Sequence, residues 1–290
     1  MESIELPCPA QDSFVKMFAK ALLTPKRRPA RLEALPRFVM ERKGIRIRPE
    51  QLAAYREACG YSQEGPVPLL FPYVLTAGMQ LYMLTQRRFP LPAFGMVHAR
   101  NQITHHRQID PGEVLDAVCR IGESRVVKSG LEFDMEASLA VGGSVVCENI
   151  STYLCRGKFG EPDPDAPRPS FSEIPPAAQS FEWKVPKNMG RRYARIVGDY
   201  NLIHISNLAA KVFGFPRAII HGLWTTAVCA ARLRGTALHY PVSCDVLFKG
   251  PVLIGSTAKA RVEDSGQTCR FDVYCGSNPR PCLCGIIQEK

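Results

Sequence analysis

Apolar positions recur at helical spacing in three places in the first third of the chain. Ser13 to Leu23 carries Phe14, Met17, Phe18, Ala21 and Leu22 and reads as a short leading helix. Arg48 to Cys59 reads as a second helix. Pro68 to Leu84 is apolar on nearly all sides, as a helix buried within a domain would be. Four β-rich stretches follow, near 96–107, 113–123, 130–141 and 144–155, divided by the turn signals Pro111-Gly112, Ser129-Gly130 and Gly142-Gly143.

After a break the same order returns. A short strand near Phe181 to Val185 precedes a mixed segment at 188–213, then an apolar helix at about 221–233. Strand-like runs follow near 242–249, 256–264, 268–275 and 282–288, parted by Gly250-Pro251, Gly255, Ser265-Gly266 and Asn278-Pro279. The two halves register, with Phe71-Pro72 opposite His221-Gly222 and Gly112 matching Gly255. An internal repeat of one helix wrapped by an antiparallel sheet follows, an α+β plan in which two units extend into one sheet. The break itself, residues 160–179, holds Pro162, Pro164, Pro167, Pro169, Pro175 and Pro176 and reads as an extended linker. The expected organisation is an N-terminal unit over 1–159, a linker over 160–179 and a C-terminal unit over 180–290.

Composition narrows the function classes. Of 290 residues, 46% are hydrophobic, and no apolar run reaches the ~20 residues of a membrane span. With acids at Glu2 and Glu5 where a targeting peptide would be basic, a soluble cytoplasmic protein is expected. Eleven cysteines are scattered, several in strand-like runs, and reduced, packed thiols are expected. Cys282-Leu-Cys284 lacks a second ligand pair, so no metal site is expected. The net charge of +10 is concentrated at 20–48, where ten Lys or Arg face only Glu33 and Glu41. No nucleic-acid motif accompanies that charge. It reads as a solvated connector, or as attraction for a polyanion such as coenzyme A.

The chemistry lies in Gly198-Asp199-Tyr200-Asn201-Leu202-Ile203-His204, followed by Gly214-Phe215 and then His221-Gly222. On a regular helix Asp199 and His204 would lie about 140° apart, so the chain must leave helical geometry between them. Gly198 and Asn201 are residues that permit this. Gly222 opens an apolar helix, where a free N–H and the positive helix end suit an oxyanion.

The combined motif resembles that of the MaoC-like, or hydratase-2, family of hot-dog-fold enzymes: Gly-Asp-x-Asn-Pro-[Leu/Ile]-His, then Gly-Phe and a hydrophobic pair before His-Gly. The resemblance is close over about 30 residues, and the two-unit layout resembles the family's double hot-dog members. It implies reversible hydration of trans-2-enoyl thioesters to (R)-3-hydroxyacyl thioesters, with no cofactor beyond the coenzyme A or acyl carrier protein (ACP) of the substrate. It implies Asp199 as the carboxylate that deprotonates water, His204 as its partner and the Gly222 N–H as oxyanion donor. Asn201 reads first as a turn residue and His221 as a packing residue. Both stand beside the loop and join Lys211 and Arg217 as substrate-contacting candidates, with Arg191 and Arg192 as further basic candidates for carrier binding. His98, His105, His106 and His239 carry no motif and read as strand or surface residues.

The sequence departs from the family pattern at Val197, Leu202, Ser206 and Ala230. A non-catalytic thioester-binding protein and a thioesterase remain alternatives on the same scaffold. The N-terminal unit lacks the motif and Pro72 has no N–H to donate. It is therefore expected to be a degenerate unit that walls one active site and takes up a medium or long acyl chain along the 68–84 helix. The oligomeric state, a homodimer included, is left open.

Overall fold

The computed structural model describes residues 3–8, 34–92 and 95–289. The first unit holds β1 (Ile4–Glu5), β2 (Phe38–Arg46), α1 (Pro49–Cys59), α2 (Phe71–Thr85), β3 (Met96–His105), β4 (Val114–Val127), β5 (Gly130–Val141) and β6 (Ser144–Arg156). The second holds β7 (Gln179–Lys184), α3 (Met189–Val197), α4 (Leu202–Ile205), α5 (Asn207–Val212), α6 (Gly222–Leu233), β8 (Val242–Phe248), β9 (Thr257–Asp264), β10 (Thr268–Cys275) and β11 (Leu283–Glu289).

The repeat is visible in the sheet. Its eleven described strands run β1-β2-β4-β5-β6-β3-β8-β11-β10-β9-β7. Apart from β1, the order within one unit mirrors the order within the other, and the units meet where β3 pairs antiparallel with β8. This is the double hot-dog expected from the sequence. Arg100 clamps the seam by donating from Nε and Nη2 to the two Asp245 carboxylate oxygens at 2.8 and 2.6 Å. A bidentate pair of this kind also specifies register. The helices interlock too, as the Trp224 indole N–H of α6 donates to the Ala58 carbonyl of α1 at 2.8 Å.

Inward positions alternate along β5, where Leu131, Phe133, Met135, Ala137 and Leu139 are all buried. Helix α2 lies under this face with Phe71, Met79 and Met83 fully buried. Its counterpart α6 buries Trp224, Ala227 and Cys229.

Two expectations need correction. The basic stretch is not only connector: β2 occupies 38–46, burying Phe38, Met40 and Ile45 while Lys43 and Arg46 face solvent. The registered helix starts also shift by one. Leu70 and His221 are the N-caps, so Phe71 rather than Pro72 stands where Gly222 stands. Of the four histidines expected in strands or at the surface, His98 and His105 lie in β3, and His105 is fully buried there, its Nε2 donating to Leu69 O at 3.0 Å. The leading helix expected at 13–23 and the cluster Lys26 to Arg31 lie outside the described residues. The proline-rich segment after β6 carries no helix or strand, yet it is pinned to the second unit. Ile174 is buried, and its N–H donates to Asp272 Oδ2 at 2.8 Å.

Candidate active site

Helix α3 delivers the site segment. It ends because Gly198 adopts the left-handed conformation at φ 80°, with its N–H capping Ala194 O. The chain then turns through Asp199, whose Oδ1 accepts from the Asn201 N–H at 3.0 Å. Asn201 N-caps α4, accepting from the Ile203 N–H at 3.4 Å. His204 stands on that single turn of helix. The departure from helical geometry expected between Asp199 and His204 is thus made by Gly198 and Asn201. Gly190 lets α4 sit this close, since a Cβ there would overlap the His204 carbonyl.

A second strand of contacts fixes the imidazoles. His204 Nδ1 donates to Ile219 O at 2.9 Å, which sets the neutral tautomer and leaves Nε2 as an acceptor. The Ile219 N–H returns a bond to Ile203 O at 3.0 Å. His221 caps α6, is 5% exposed and stacks on His204 with centroids 3.7 Å apart. Its Nε2 donates to the Asp199 backbone carbonyl at 3.1 Å and lies 3.7 Å from Asp199 Oδ2. Burial holds both histidines below the usual range. The Asp199 charge opposes that shift, and His221, beside His204, reaches about 3. Both are therefore neutral at pH 7. The Asp199 side chain, 36% exposed, remains reachable.

Gly222 begins α6, and among the described residues its N–H has no protein acceptor. A Cβ there would overlap the Phe248 ring. In the first unit the equivalent Phe71 N–H is taken by Pro68 O at 2.9 Å.

Asp199, Asn201, His204, His221 and Gly222 all line one cleft of about 740 Å³. Lys211 and Arg217 do not line it and lie on exposed surface, whereas Lys249 does line it. Arg192 is paired with Glu57 of α1 at 2.7 Å, and Arg191 donates to Ile205 O at 3.2 Å, so both hold the fold. Asp199, His204 and His221 are the one described group close enough to suggest a metal site. Their rings are stacked 28° from parallel, so the in-plane nitrogen lone pairs run alongside each other rather than converging on a point. That arrangement suits proton handling better than coordination.

The first unit supplies wall residues that the motif did not indicate. Tyr73 of α2, His98 of β3 and Tyr153 of β6 line the cleft, with Phe248 of β8 beside them. His98 and Tyr153 are register partners in the sheet and stack at 4.8 Å. All three are polar aromatics that line a cleft, and that is the one signal that marks them.

The sequence and fold of this cleft have known counterparts. A family model described as MaoC like domain matches residues 174–278. Over 233 residues the chain is 32% identical to 3-hydroxyacyl-thioester dehydratase X of Mycobacterium tuberculosis, covering 79% of this chain and 81% of that one. The chain belongs to the MaoC-like dehydratase family. The crystal structure of M. tuberculosis HtdX superposes with a TM-score of 0.75 at 27% identity, covering 87% of this chain and 100% of that chain. A second M. tuberculosis protein, described as having a double hot-dog fold, gives a TM-score of 0.53 at 13% identity over 85% of this chain and 94% of its own. That likeness is one of fold. For this MaoC-like dehydratase the matched model covers α3 to α6, and with them every residue of the Asp199–His204–Gly222 group. Among the described residues no helix is long and apolar enough to cross a membrane.

Proposed function

We propose that the cleft adds water reversibly to trans-2-enoyl thioesters, giving (R)-3-hydroxyacyl thioesters. The observation that carries this reading is the pairing of two acceptors, the Asp199 carboxylate and the neutral His204 Nε2, in one cleft with the unpaired Gly222 N–H at a helix N-terminus. A water molecule has two hydrogens, and two acceptors hold it with a lone pair free to attack. Its oxygen bonds to the β-carbon, and the double-bond electrons move onto the thioester oxygen. One water proton passes to the Asp199–His204 pair. The enolate then collapses, and a proton from the pair is delivered to the α-carbon, so H and OH have been added and nothing is left over. Gly222 N–H holds the enolate oxygen, aided by the helix end, a donor typically worth about 3 kcal/mol of barrier. His221 keeps the Asp199 backbone in place and Asn201 sets its carboxylate. The name of the mycobacterial relative supports a thioester substrate. The (R) configuration rests on the motif resemblance, and either coenzyme A or ACP serves as the carrier.

The test follows loss of the conjugated enoyl-thioester absorbance with crotonyl-CoA and longer enoyl-CoAs, with free thiol measured in parallel and product chirality determined by chromatography. Disappearance of the conjugated chromophore without thiol release is expected. Thiol release would make the protein a thioesterase, and binding without turnover would make it a carrier of acyl thioesters.

A further inference from the structure

The wall opposite the catalytic pair carries more hydrogen-bonding capacity than an alkyl chain can use. Tyr73 Oη and Tyr153 Oη lie 3.3 Å apart, so one hydroxyl proton joins them and the other has no acceptor among the described residues. His98 Nε2 is buried and has no partner among the described residues. The His98 ring is packed between Tyr153 at 4.8 Å and Phe248 at 5.0 Å, so it cannot turn away to find one.

These groups stand at a junction. Tyr73 and Tyr153 line the main cleft and also a smaller cavity of about 90 Å³ that continues past Asp199 along α2, beside Ala77, Leu81 and Leu84. Asp199 and Asn201 border both cavities. A chain whose reacting double bond is at Asp199 and whose tail enters the smaller cavity passes the two tyrosines on its way.

We infer that Tyr73, Tyr153 and His98 form a subsite that selects acyl chains bearing a neutral oxygen, a hydroxyl or a keto group, a few carbons beyond the reacting double bond. The inference rests on the hydratase reading of the cleft. A hydroxyl accepts the spare tyrosine proton and bonds His98 Nε2; a methylene leaves both unpaired, and buried polar groups stripped of water without a partner are costly. The oxygen is neutral because its hosts are. Burial holds His98 at about 4, against the pull of the Asp199 charge, and pushes the Tyr153 hydroxyl up to about 12. A carboxylate tail would face the Asp199 charge here.

Calorimetry on the full chain tests this with saturated thioesters that cannot react: hexanoyl-CoA against 6-hydroxyhexanoyl-CoA and 5-oxohexanoyl-CoA. At least one oxygenated chain is expected to bind on the order of 10-fold or more tightly than hexanoyl-CoA. In Tyr153→Phe and His98→Phe that preference is expected to shrink to within about 3-fold, because the oxygenated ligand loses affinity. Equal binding of all three by the wild type overturns the subsite and leaves the hydratase reading standing. A preference that survives in both variants also overturns it. If hexanoyl-CoA binds but no enoyl-CoA is hydrated, the hydratase reading fails by itself. If no thioester binds at all, both fail.

Discussion

The two hot-dog units share one plan and differ at the place where their central helices begin. Between α1 and α2 the chain spends residues 60–70 on a loop clamped by the buried Arg56, which donates to the carbonyls of Gln63, Gly65 and Pro66. Between α3 and α6 it spends 198–221, long enough for two extra short helices. The first unit enters its helix through Leu70-Phe71-Pro72, with the Phe71 N–H already bonded. The second enters through His221-Gly222, with the Gly222 N–H free for a ligand. The same entry point is a packing device in one copy and, in the proposed function, the reaction centre in the other. The difference is made by one inserted segment and one missing side chain. The unit without the insertion contributes by facing the other across the β3–β8 seam, lending Tyr73, His98 and Tyr153 to its partner's cleft.

The strongest way to break this contrast is at Asp199. Asp199→Asn keeps the shape and the Asn201 contact but removes the base, and hydration is expected to fall by at least ~10². A purified, folded variant with more than about a tenth of the wild-type rate would show that the inserted segment is not the seat of the chemistry. His204→Ala is expected to lose a comparable amount, and the double variant little more than either, because groups that hold one water fail together. Losses that multiply would mean that the two side chains act separately.

Gly222→Ala sharpens the contrast at the helix start. The new methyl would overlap the Phe248 ring, which must move toward His98 or push α6 back. We expect a rate loss of about 10-fold or more, from misplacement of the oxyanion donor, and a stability loss of ~1–3 kcal/mol from overpacking. Kinetics and a denaturant titration read the two separately. A fully active variant would remove Gly222 from the reaction.

Much of this difference was legible in the sequence, and what was not has physical reasons. Alternation and glycine turns located the strands from Met96 onward, because turn signals separate successive apolar-rich runs there. β2 escaped because its basic residues mask a short inward run of Phe38, Met40 and Ile45, which is interrupted at Gly44, where the pairing register shifts. The candidate site segment was legible because Gly198, Asp199, Asn201 and His204 are placed by local turns. Nearness along the chain did not bring Lys211, Arg217 or Arg192 to the cleft lining. The first two are exposed outside it, and the third is paired with Glu57, far off in sequence. Tyr73, His98 and Tyr153 meet only through sheet register and the packing of α2, which no local pattern encodes.

Each unit also carries a fully packed neutral histidine, His105 in the first at 0% exposure and His221 in the second at 5%. Burial lowers them to about 4 and about 3. Below the ordinary value of 6.5 the unfolded chain takes up protons that the folded chain refuses. Stability is therefore full above pH 6.5 and falls as pH drops toward 4, by up to ~1.4 kcal/mol per pH unit for each such group. Thermal melts at pH 7, 6, 5 and 4.5 should show this decline, and His221→Gln should make it shallower. Unchanged melting across that range would mean that neither histidine is neutral by burial.

The smallest effect concerns the rim of the cleft. The second unit carries Lys211 and Arg217 on the exposed surface next to the site segment, with Lys249 on the cleft wall itself. If the substrate arrives on coenzyme A, its phosphates must stay outside a cleft whose depth is taken by the acyl chain, and Lys249 on the cleft wall is the first of these cations they would meet. Exposed charges of this kind are individually weak and are screened beyond a Debye length of ~8–10 Å. The expected result is a modest, several-fold rise in KM for an enoyl-CoA between low and high ionic strength, with kcat unchanged, because the attraction acts on binding and not on the bond-making step. Lys249→Ala should remove more of the salt dependence than Lys211→Ala, since of the two only Lys249 borders the cleft. A KM that stays flat with salt would leave the basic rim without a part in carrier binding. An effect carried by Lys211 and not by Lys249 would place the phosphates on the outer surface of the inserted segment.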